Sequence, residues 1–407
     1  MSLENSKQIS AASLQPELWT TSSNDALKMF VTDGEQAINF QPLFTYPIFG
    51  DAETIYGYKD LNIFLCFDHY TFKPFLNIKY KEKLDDPDLV DLKGTMDKFV
   101  PESTVFKDEI AWVDSINEEK KDYKIPGDRI DNFRNDDMEY SVYKINLKSA
   151  AGLELHKRLQ ILVLLYIEAG SFIDAEDDLW DLYVLYESAP ENKEPSIVGF
   201  ATAYNYWKYP GAENFDDGKL EIRIKISQFV ILPIYQGQGL GQSFYTHLCK
   251  YWLAKDNIVE IVVEDPNEGF DDMRDRADLK RLGDLGFDFD KLVARDIDQH
   301  WIDKTRKQLK LEKRQFARLL ELILLYKLKH NKDVSKSDVR LFIKKRLYKK
   351  NKEGLDALDE ATRRDKLQTA YQALEEDYYR ILGDLRLPIK RRLDDVDVNE
   401  SKKQKVD

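Results

Sequence analysis

The chain has 407 residues, of which 43% are hydrophobic and 33% charged, and its formal net charge at pH 7 is −13. A chain of this length is expected to form two or three domains, and its apolar content excludes a largely disordered protein. The 18 glycines and 13 prolines follow no repeat, which excludes a collagen-like protein. No apolar run approaches the roughly 20 residues of a membrane-spanning helix, so we expect no membrane association.

The few cysteines and histidines argue against disulfide and metal sites. Two cysteines, Cys66 and Cys249, occur in a chain whose first 20 residues lack the pattern of a secretory signal. We therefore expect a reducing compartment and no disulfide framework. The five histidines are scattered and none is paired at metal-ligand spacing, so we expect no bound metal.

The charge is unevenly distributed along the chain. Residues 51–140 hold 22 acidic and 13 basic residues, whereas residues 301–352 hold 18 basic and 5 acidic residues. An acidic body attracts cationic partners, although acids that merely keep the surface soluble would give the same pattern. The basic residues of 301–352 alternate with apolar helix positions. This favours a solvated helix face, with an acidic partner or nucleic acid as alternatives.

Aromatic and β-branched runs predict strands, and apolar residues at three- and four-residue spacing predict helices. In the first half we expect strands at 55–58, 63–67, 75–80 and 140–147, followed by an amphipathic helix at 153–167. In the second half we expect strands at 182–186, 197–206, 220–226 and 259–263, a helix from about residue 270, and a helical region from 301 to 383.

A glycine-rich turn at 236–241 follows a strand whose alternation breaks at 229–232, which predicts a bulge or a bend. The turn opens a helix with a predicted apolar stripe of Leu240, Phe244, Leu248 and Trp252. Such a turn can bind an anion, because glycines let the backbone approach and the helix N-terminus points N–H groups at the ligand. The spacing fits neither the dinucleotide-binding pattern nor the Walker loop. A plain glycine turn that caps the helix is the alternative.

The pattern Gln-x-x-Gly-x-Gly, at Gln236, Gly239 and Gly241, resembles the coenzyme A pyrophosphate loop of the GNAT acetyltransferases. Longer segments resemble the type B histone acetyltransferase catalytic subunits, in particular fungal ones. These segments are 44–51 with Glu53 and 57–59, then 167–174, and then 263–268 with 274–276. The resemblance covers roughly residues 40–290, and the helical end of the chain carries little of it.

The resemblance implies an α/β (α+β) fold with a GNAT acyl-CoA N-acyltransferase core, an N-terminal α/β domain and a helical C-terminal region. The expected divisions are a flexible arm at 1–20, an N-terminal substrate-groove domain at 21–148, the GNAT domain at 149–288, a helical domain at 289–385 and a disordered basic tail at 386–407.

The resemblance also implies a direct transfer, in which a histone lysine attacks the thioester of acetyl-CoA. A lysine amine with a pKa of about 10.4 needs a base. Glu264 is implied as the general base, with Asp265 and Glu168 as supporting acids. The alternatives are that Glu264 only opens the turn at Asp265-Pro266 and that Glu168 is a solvated acid at a helix end. Cys249 lies a helix away from the glycine turn, which argues against an acyl-cysteine intermediate.

Acetyl-CoA is the implied co-substrate, with no metal. Its implied contacts lie on the splayed strand, on the glycine turn and after the last strand, although Arg276 could equally be a helix-surface cation. These residues are Phe229, Val230, Ile231, Gln236, Gly237, Gln238, Gly239, Leu240, Gly241, Gln242, Asn267 and Arg276.

The implied substrate is the N-terminal tail of newly synthesised, free histone H4. The acidity of 51–140 favours a cationic ligand independently of the resemblance. The run 204–209 forms either an aromatic wall of the groove or an ordinary core strand. The implied substrate-binding residues are Asp51, Ala52, Glu53, Tyr206, Trp207 and Lys208.

The implied partners are a WD40-propeller histone-binding subunit and a histone chaperone, and nucleic acid is not required. Basic clusters at 390–391 and 402–405 resemble a bipartite nuclear import signal, so we expect a cytoplasmic and nuclear protein. The family resemblance implies a role in chromatin assembly and DNA repair. Two other functions stay open, a GNAT enzyme for another amine and a non-catalytic histone carrier. The intact glycine turn and Glu264 argue against the carrier.

Overall fold

The structure is a computed structural model that describes residues 16–87, 89–188, 194–209, 211–217, 220–330 and 334–389. The chain divides into two compact units. The first unit comprises residues 1–206 and 225–247, and the second comprises residues 207–224 and 248–407. Within the described ranges, no helix combines the length and apolar character needed to span a membrane.

The first unit begins with a five-stranded sheet in the order β3-β2-β6-β7-β9. In this sheet β2 pairs in parallel with β6 and β7 pairs in parallel with β9, while the other pairs are antiparallel. Two short ladders, β1 with β4 and β5 with β8, lie outside it. The strands are β1 (Thr20–Ser22), β2 (Leu27–Thr32), β3 (Ala37–Phe40), β4 (Thr54–Tyr56), β5 (Tyr58–Lys59), β6 (Asn62–Asp68), β7 (Pro74–Lys79), β8 (Glu82–Lys83) and β9 (Val105–Phe106). The helices are α1 (Ser23–Ala26), α2 (Tyr46–Phe49), α3 (Leu92–Met96) and α4 (Glu109–Lys120).

A second sheet of the first unit has the order β10-β11-β12-β13-β14, and its first four strands pair antiparallel. These strands are β10 (Gly127–Asn135), β11 (Met138–Ile145), β12 (Trp180–Glu187), β13 (Ser196–Trp207) and β14 (Ile222–Ile231). The helices are α5 (Ala150–Leu159), α6 (Ile161–Tyr166) and α7 (Leu240–Leu253). Both β14 and α7 cross a boundary between the two units.

One hydrophobic core joins the two sheets of the first unit. It contains Leu65 of β6, Leu162 of α6 and Val184 of β12, each fully buried. All six residues of α6 are buried, and the helix expected at 153–167 is divided into α5 and α6 at Gln160. The two sheets therefore share one core with α5 and α6 instead of forming separate domains.

The expected boundary between residues 148 and 149 differs from the structure. β11 pairs with β12, and Ile145 lies opposite Leu182, so the hairpin β10–β11 belongs to the same sheet as β12 and β13. The pairing joins residues more than 35 positions apart, and local sequence patterns do not reveal such a pairing.

The second unit contains strand β15 and a set of helices around a core of its own. Phe316, Tyr378 and Leu279 are buried in that core. α8 packs on α10 and α13, so α8 belongs with the helical region, although we expected the helical domain to begin at 289. The elements are β15 (Ile258–Val263), α8 (Glu268–Asp284), α9 (Gln299–Gln308), α10 (Lys313–His330), α11 (Lys336–Lys350), α12 (Lys352–Asp356) and α13 (Glu360–Leu382).

The two ends of the described chain are more ordered than expected. Trp19, placed in the expected flexible arm, is 5% exposed, and its carbonyl accepts a hydrogen bond from the N–H of Gly57. Leu387, placed in the expected tail, is buried, and its N–H donates to the Tyr326 hydroxyl. Burial of these apolar side chains extends the fold into both segments. The import signal expected at 390–405 lies outside the described residues.

Candidate active site

The glycine turn lies between β14 and the first residue of α7. Gly237 and Gly239 have φ angles of +76° and +77°, which is the left-handed region that favours glycine. No protein atom lies within 4 Å of the position that a Cβ would occupy at either residue. The turn is therefore open on the side where these two side chains would be, and a ligand can approach the backbone there.

Two side-chain hydrogen bonds fix the conformation of the turn. The Gln236 side-chain amide donates to the Ile231 carbonyl at 2.7 Å, which ties the turn to the end of β14. The Gln238 carbonyl accepts from the Asn135 side chain at 3.1 Å. Gln236 was expected to contact the coenzyme, but its amide instead stabilises the turn, so a further contact by Gln236 stays a prediction.

These features fit the pyrophosphate of acetyl-CoA. The N–H of Ser243 donates to the Gly239 carbonyl, which closes the first turn of α7. The N–H groups of Leu240, Gly241 and Gln242 precede that bond, and such first-turn groups have no intrahelical acceptor. Because the positive end of the helix dipole lies at the same place, an anion is favoured there.

The strand before the turn loses its alternation, as the sequence predicts. Burial alternates along β14 until Val230 and Ile231, which are both buried. Phe229 is partly buried and its ring packs on Phe244 of α7 at 5.2 Å between centroids. Because these side chains point into packed surroundings, any contact of Val230 or Ile231 with a coenzyme has to run through the backbone.

Glu168 lies in a turn directly after α6, and its residue is exposed. The next residue, Ala169, has φ +55°, and its N–H donates to the Tyr46 hydroxyl at 2.6 Å. Farther along, the Ser171 carbonyl accepts from the Gln228 side chain at 2.7 Å. The segment that carries Glu168 is therefore fixed to α2 on one side and to β14 on the other.

Three residues that we expect to bind substrate lie in the turn after α2, namely Asp51, Ala52 and Glu53. Asp51 and Ala52 are exposed. Glu53 differs from them because its carboxylate accepts hydrogen bonds from the N–H groups of Thr45 and Tyr46, at 2.6 and 3.1 Å, and from the Asn24 amide at 3.0 Å. These donors, with the Thr45 N–H first, hold the pKa of Glu53 below its usual value. Glu53 is thus an acceptor for the first turn of α2, and a direct contact with substrate stays a prediction.

The aromatic run at 204–209, which begins in the last residues of β13, lies on the surface, and this excludes the alternative of an ordinary core strand. In the first unit, Tyr206 is 42% exposed and packs edge-on against Tyr204, with the Lys225 ammonium 5.3 Å from its ring. In the second unit, Trp207 is 52% exposed, and the Lys208 N–H donates to the Glu221 carbonyl.

Glu264, the residue expected to be the general base, is the first residue after β15. It lies in an exposed bend, and Asp265 beside it is exposed with φ +34°. A left-handed aspartate directly before Pro266 makes a sharp change of direction, which turns the chain out of the strand. The strand end itself therefore supplies no apolar enclosure for Glu264.

Asn267 and Arg276 also belong to the second unit, on α8. The Asn267 side-chain oxygen accepts from the Phe270 N–H at 2.9 Å, so Asn267 is the N-cap of α8. Arg276 is exposed, and its Nε donates to the Ile381 carbonyl at the end of α13. Both residues have structural roles, and their contacts with a coenzyme stay predictions.

Sequence reasoning missed Tyr46 and Gln228, which fix the turn of Glu168. Their partners lie 123 and 57 residues away, so no local pattern could reveal them. Cys249 is buried in α7, in agreement with a structural thiol. Among the described residues, no three His, Cys, Asp or Glu side chains form a group that could hold a metal ion.

Three protein-family models match this chain. The model "Histone acetyl transferase HAT1 N-terminus" matches residues 19–168, "Acetyltransferase (GNAT) family" matches residues 156–270, and "Fungal HAT1, C-terminal" matches residues 275–329. The GNAT match includes the glycine turn and Glu264. GNAT acetyltransferases use acetyl-CoA, in agreement with the fit of the turn.

Curated relatives match along almost the whole chain. The histone acetyltransferase type B catalytic subunit of Candida albicans is 70% identical over 403 residues, which cover 97% of each chain. The subunit of the same name from Debaryomyces hansenii is 58% identical over 98% of this chain and 97% of its own length. That from Kluyveromyces lactis is 43% identical over 94% of this chain and 96% of its own.

Solved structures match a smaller part. An aminoglycoside acetyltransferase from an uncultured soil metagenomic sample, in complex with sisomicin, is 18% identical over 31% of this chain and 78% of its own, with a TM-score of 0.23. An AtaT mutant toxin bound to the C-terminus of the antitoxin AtaR and acetyl-CoA is 17% identical over 35% of this chain and 83% of its own, with a TM-score of 0.22.

Proposed function

The chain belongs to the type B histone acetyltransferase catalytic subunits, and we propose that it acetylates lysines in the N-terminal tail of free histone H4 with Glu264 as the general base. The observation that carries this proposal is the open glycine turn at the start of α7. A non-catalytic histone carrier would have no use for a left-handed glycine pair at a helix N-terminus.

The coenzyme is held by the chain's backbone in this proposal. First-turn N–H groups at Leu240, Gly241 and Gln242 bind the pyrophosphate, and the backbone of Phe229–Ile231 lies along the pantetheine arm and the acetyl group. Asn267 and Arg276 contribute a second set of contacts. Acetyl-CoA supplies a thioester whose carbonyl carbon bonds to the lysine nitrogen as its C–S bond breaks. The nitrogen's second proton goes to the leaving sulfur, which departs as coenzyme A thiol.

Glu264 removes the proton that would otherwise keep the lysine nitrogen from attacking. The ammonium transfers one proton to the Glu264 carboxylate, and the neutral amine then forms the new N–C bond. Asp265 and Glu168 support the attack by attracting the lysine side chain to the site and by stabilising the positive charge that the nitrogen acquires as the N–C bond forms. Glu264 is exposed in its bend. In this proposal, water around Glu264 is therefore excluded by the bound substrates and not by the bend itself.

The histone tail is recognised by charge and by aromatic side chains. Asp51 and Ala52 form an exposed turn, and Asp51 attracts the basic tail. Glu53 fixes that turn through its hydrogen bonds to the start of α2. Tyr206, Trp207 and Lys208 contribute the aromatic border, where exposed rings can pack on lysine stems.

The partners and the location are proposed on the same family membership. We infer a WD40-propeller histone-binding subunit and a histone chaperone as partners, and a cytoplasmic and nuclear location with roles in chromatin assembly and DNA repair. Co-purification of the endogenous protein followed by identification of bound chains tests the partners, and imaging of a tagged chain with and without residues 390–405 tests the location.

The substrate is tested by transfer of labelled acetyl from acetyl-CoA to a panel of acceptors. The panel holds free H4 tail peptide, the other histone tails, intact nucleosomes and polyamines. Selective labelling of the free H4 tail supports the proposal. Preferential labelling of polyamines would retain the chemistry and overturn the substrate, and acetyl-CoA binding without any transfer would favour the carrier.

A further inference from the structure

A buried carboxylate lies on the strand that carries Glu264. Glu260 of β15 is 3% exposed. Its Oε1 accepts from the Arg306 Nη1 at 2.8 Å, and its Oε2 lies 2.6 Å from the Arg223 Nη2. Because an unpaired buried carboxylate is strongly unfavourable, this strand depends on these guanidinium groups.

Arg306 also connects β15 to the turn between α9 and α10. Its Nη1 donates to the Leu311 carbonyl at 3.3 Å, and Leu311 forms a parallel bridge with Ile261, the residue after Glu260. In the same turn, the Lys310 ammonium donates to the carbonyls of Leu253 and Lys255, at 3.1 and 3.0 Å. Arg306 at the end of α9 and Leu311 in the turn after it therefore hold β15. The first does so by a side-chain contact with Glu260 and the second by a backbone contact with Ile261.

The element after Glu264 is fixed to the same helices. Asp275 of α8 is fully buried, with the Arg318 Nε at 2.5 Å and the Gln315 side-chain amide at 3.0 Å. The guanidinium of Arg274 reaches back to the Ile261 carbonyl at 3.4 Å. The short bend that contains Glu264 thus runs between two elements, β15 and α8, that are each fastened to α9–α10.

We propose that Arg306 is a positioning residue for acetyl transfer, which fixes β15 through Glu260 and Leu311 and so sets the position of Glu264. Glu264 lies four residues beyond Glu260, about 13 Å along an extended strand. Arg306 therefore acts through the strand and does not touch the substrates. The proposal rests on the proposed role of Glu264, and it gives the turn between α9 and α10 a part in the reaction.

A purely stabilising role for Arg306 makes a different prediction. The chain offers a matched control in Arg346, which forms a two-bond pair with the fully buried Glu321 at 2.6 and 2.7 Å. Arg346 lies on α11, and its partner lies on α10, away from the contacts of β15 described above. Arg306→Met and Arg346→Met each remove one guanidinium from a buried carboxylate, so both lose stability. Glu260 then keeps Arg223 and Glu321 keeps the Tyr378 hydroxyl as partner.

The test compares the full-length variants in two assays. The kcat and KM values are measured with the H4 tail peptide well below the melting temperatures, and thermal stability is measured separately by melting. Arg306→Met should lower kcat roughly 10- to 100-fold, as misplacement of a reacting group does, with little change in the KM for acetyl-CoA. Arg346→Met should keep kcat within about twofold while losing comparable stability. Arg306→Lys, which retains a cation beside Glu260, should recover a large part of kcat.

A second variant keeps the proposal falsifiable if Arg306→Met is too unstable to assay. Arg306→Met combined with Glu260→Gln removes the buried charge that has lost one of its two guanidinium partners, so the melting temperature should recover while kcat stays low. If kcat recovers together with stability, or if Arg306→Met behaves like Arg346→Met, Arg306 is only a stabilising residue and the proposal is overturned.

The Glu264→Gln background separates this proposal from the proposed function. If Glu264→Gln abolishes transfer and Arg306→Met adds no further loss to it, both assignments stand. If Glu264→Gln is inactive while Arg306→Met has normal kcat, the positioning role alone fails. If Glu264→Gln keeps full activity, the general-base assignment fails, whatever Arg306→Met does.

Discussion

Glu53 and Asp51 give the sharpest test of how the N-terminal turn serves the substrate. Both residues are acidic and lie two positions apart, but the Glu53 carboxylate caps the first turn of α2, whereas Asp51 is exposed. Glu53→Gln should therefore act on stability, and Asp51→Asn should act on binding of the tail. The pair separates two roles that the sequence alone assigns together.

The expected size of the Glu53→Gln effect follows from its contacts. The substitution neutralises the acceptor of the Thr45 and Tyr46 N–H groups and can turn an amide toward the Asn24 amide. Weakening two charge-assisted bonds and creating one poor contact should cost about 2 kcal/mol of unfolding free energy. For a unit of this size, the melting temperature should fall by about 4–8 °C.

The pH dependence of that loss has a definite sign. Because the Thr45 N–H and the other donors lower the pKa of Glu53 from its ordinary 4.5, its contribution is full above that pH. The contribution is lost as the pH falls through the lower, folded-state pKa. Glu53→Gln should remove this part of the acid sensitivity of the chain.

The assay combines thermal melts with KM for the H4 tail peptide at low and high salt. Asp51→Asn should raise KM about threefold at low salt and less at high salt, with an unchanged melting temperature. A raised KM for Glu53→Gln without any loss of stability would refute the reasoning, because the carboxylate would then contact the tail directly.

Three further outcomes are expected. His156 is 2% exposed, and burial lowers its pKa to about 4. The chain should therefore lose about 3 kcal/mol of unfolding free energy as the pH falls from 6.5 to 4. In urea titrations, the unfolding free energy of His156→Gln should depend less on pH over this range. Gly239→Ala should cost about 1–2 kcal/mol of unfolding free energy, because residue 239 has a positive φ. Calorimetry should show acetyl-CoA binding weakened by about tenfold or more. An unchanged affinity would argue against the turn as the pyrophosphate site. Tyr46→Phe removes the hydroxyl that accepts from the Ala169 N–H, so amide hydrogen exchange at residues 167–173 should become faster. Exchange at the rate of the unsubstituted protein would contradict a fixed turn at Glu168.

Strands with clear patterns were predictable from the sequence. The strand expected at 63–67 is confirmed as β6 (Asn62–Asp68), and the stripe of Leu240, Phe244, Leu248 and Trp252 is confirmed as the buried face of α7. In both cases the apolar spacing reflects burial on one face, and burial is what sets the local structure.

Other elements could not be predicted because they depend on distant partners. β2 (Leu27–Thr32) forms through parallel pairing with β6, and β10 (Gly127–Asn135) is an edge strand with no fully buried residue and no apolar alternation. Both gain their hydrogen bonds from strands elsewhere in the sheet. Local propensity is a weak guide to such segments.

The candidate site was predictable in its motif and not in its supports. The glycine turn follows from its spacing. The role of Glu264 follows from the family resemblance and from the need of a lysine acceptor for a base. The capping role of Glu53, the Tyr46 contact with Ala169 and the attachment of β15 to Arg306 depend on tertiary contacts. Those contacts decide which acidic residues remain available to a substrate.

The most direct test of the account is single-turnover acetyl transfer to the H4 tail peptide by Glu264→Gln, with the affinity for acetyl-CoA measured on the same protein. We expect transfer to slow at least about a hundredfold while the Kd for acetyl-CoA stays within about threefold, because a general base acts on the amine and not on the coenzyme. Transfer at the unsubstituted rate would contradict the account.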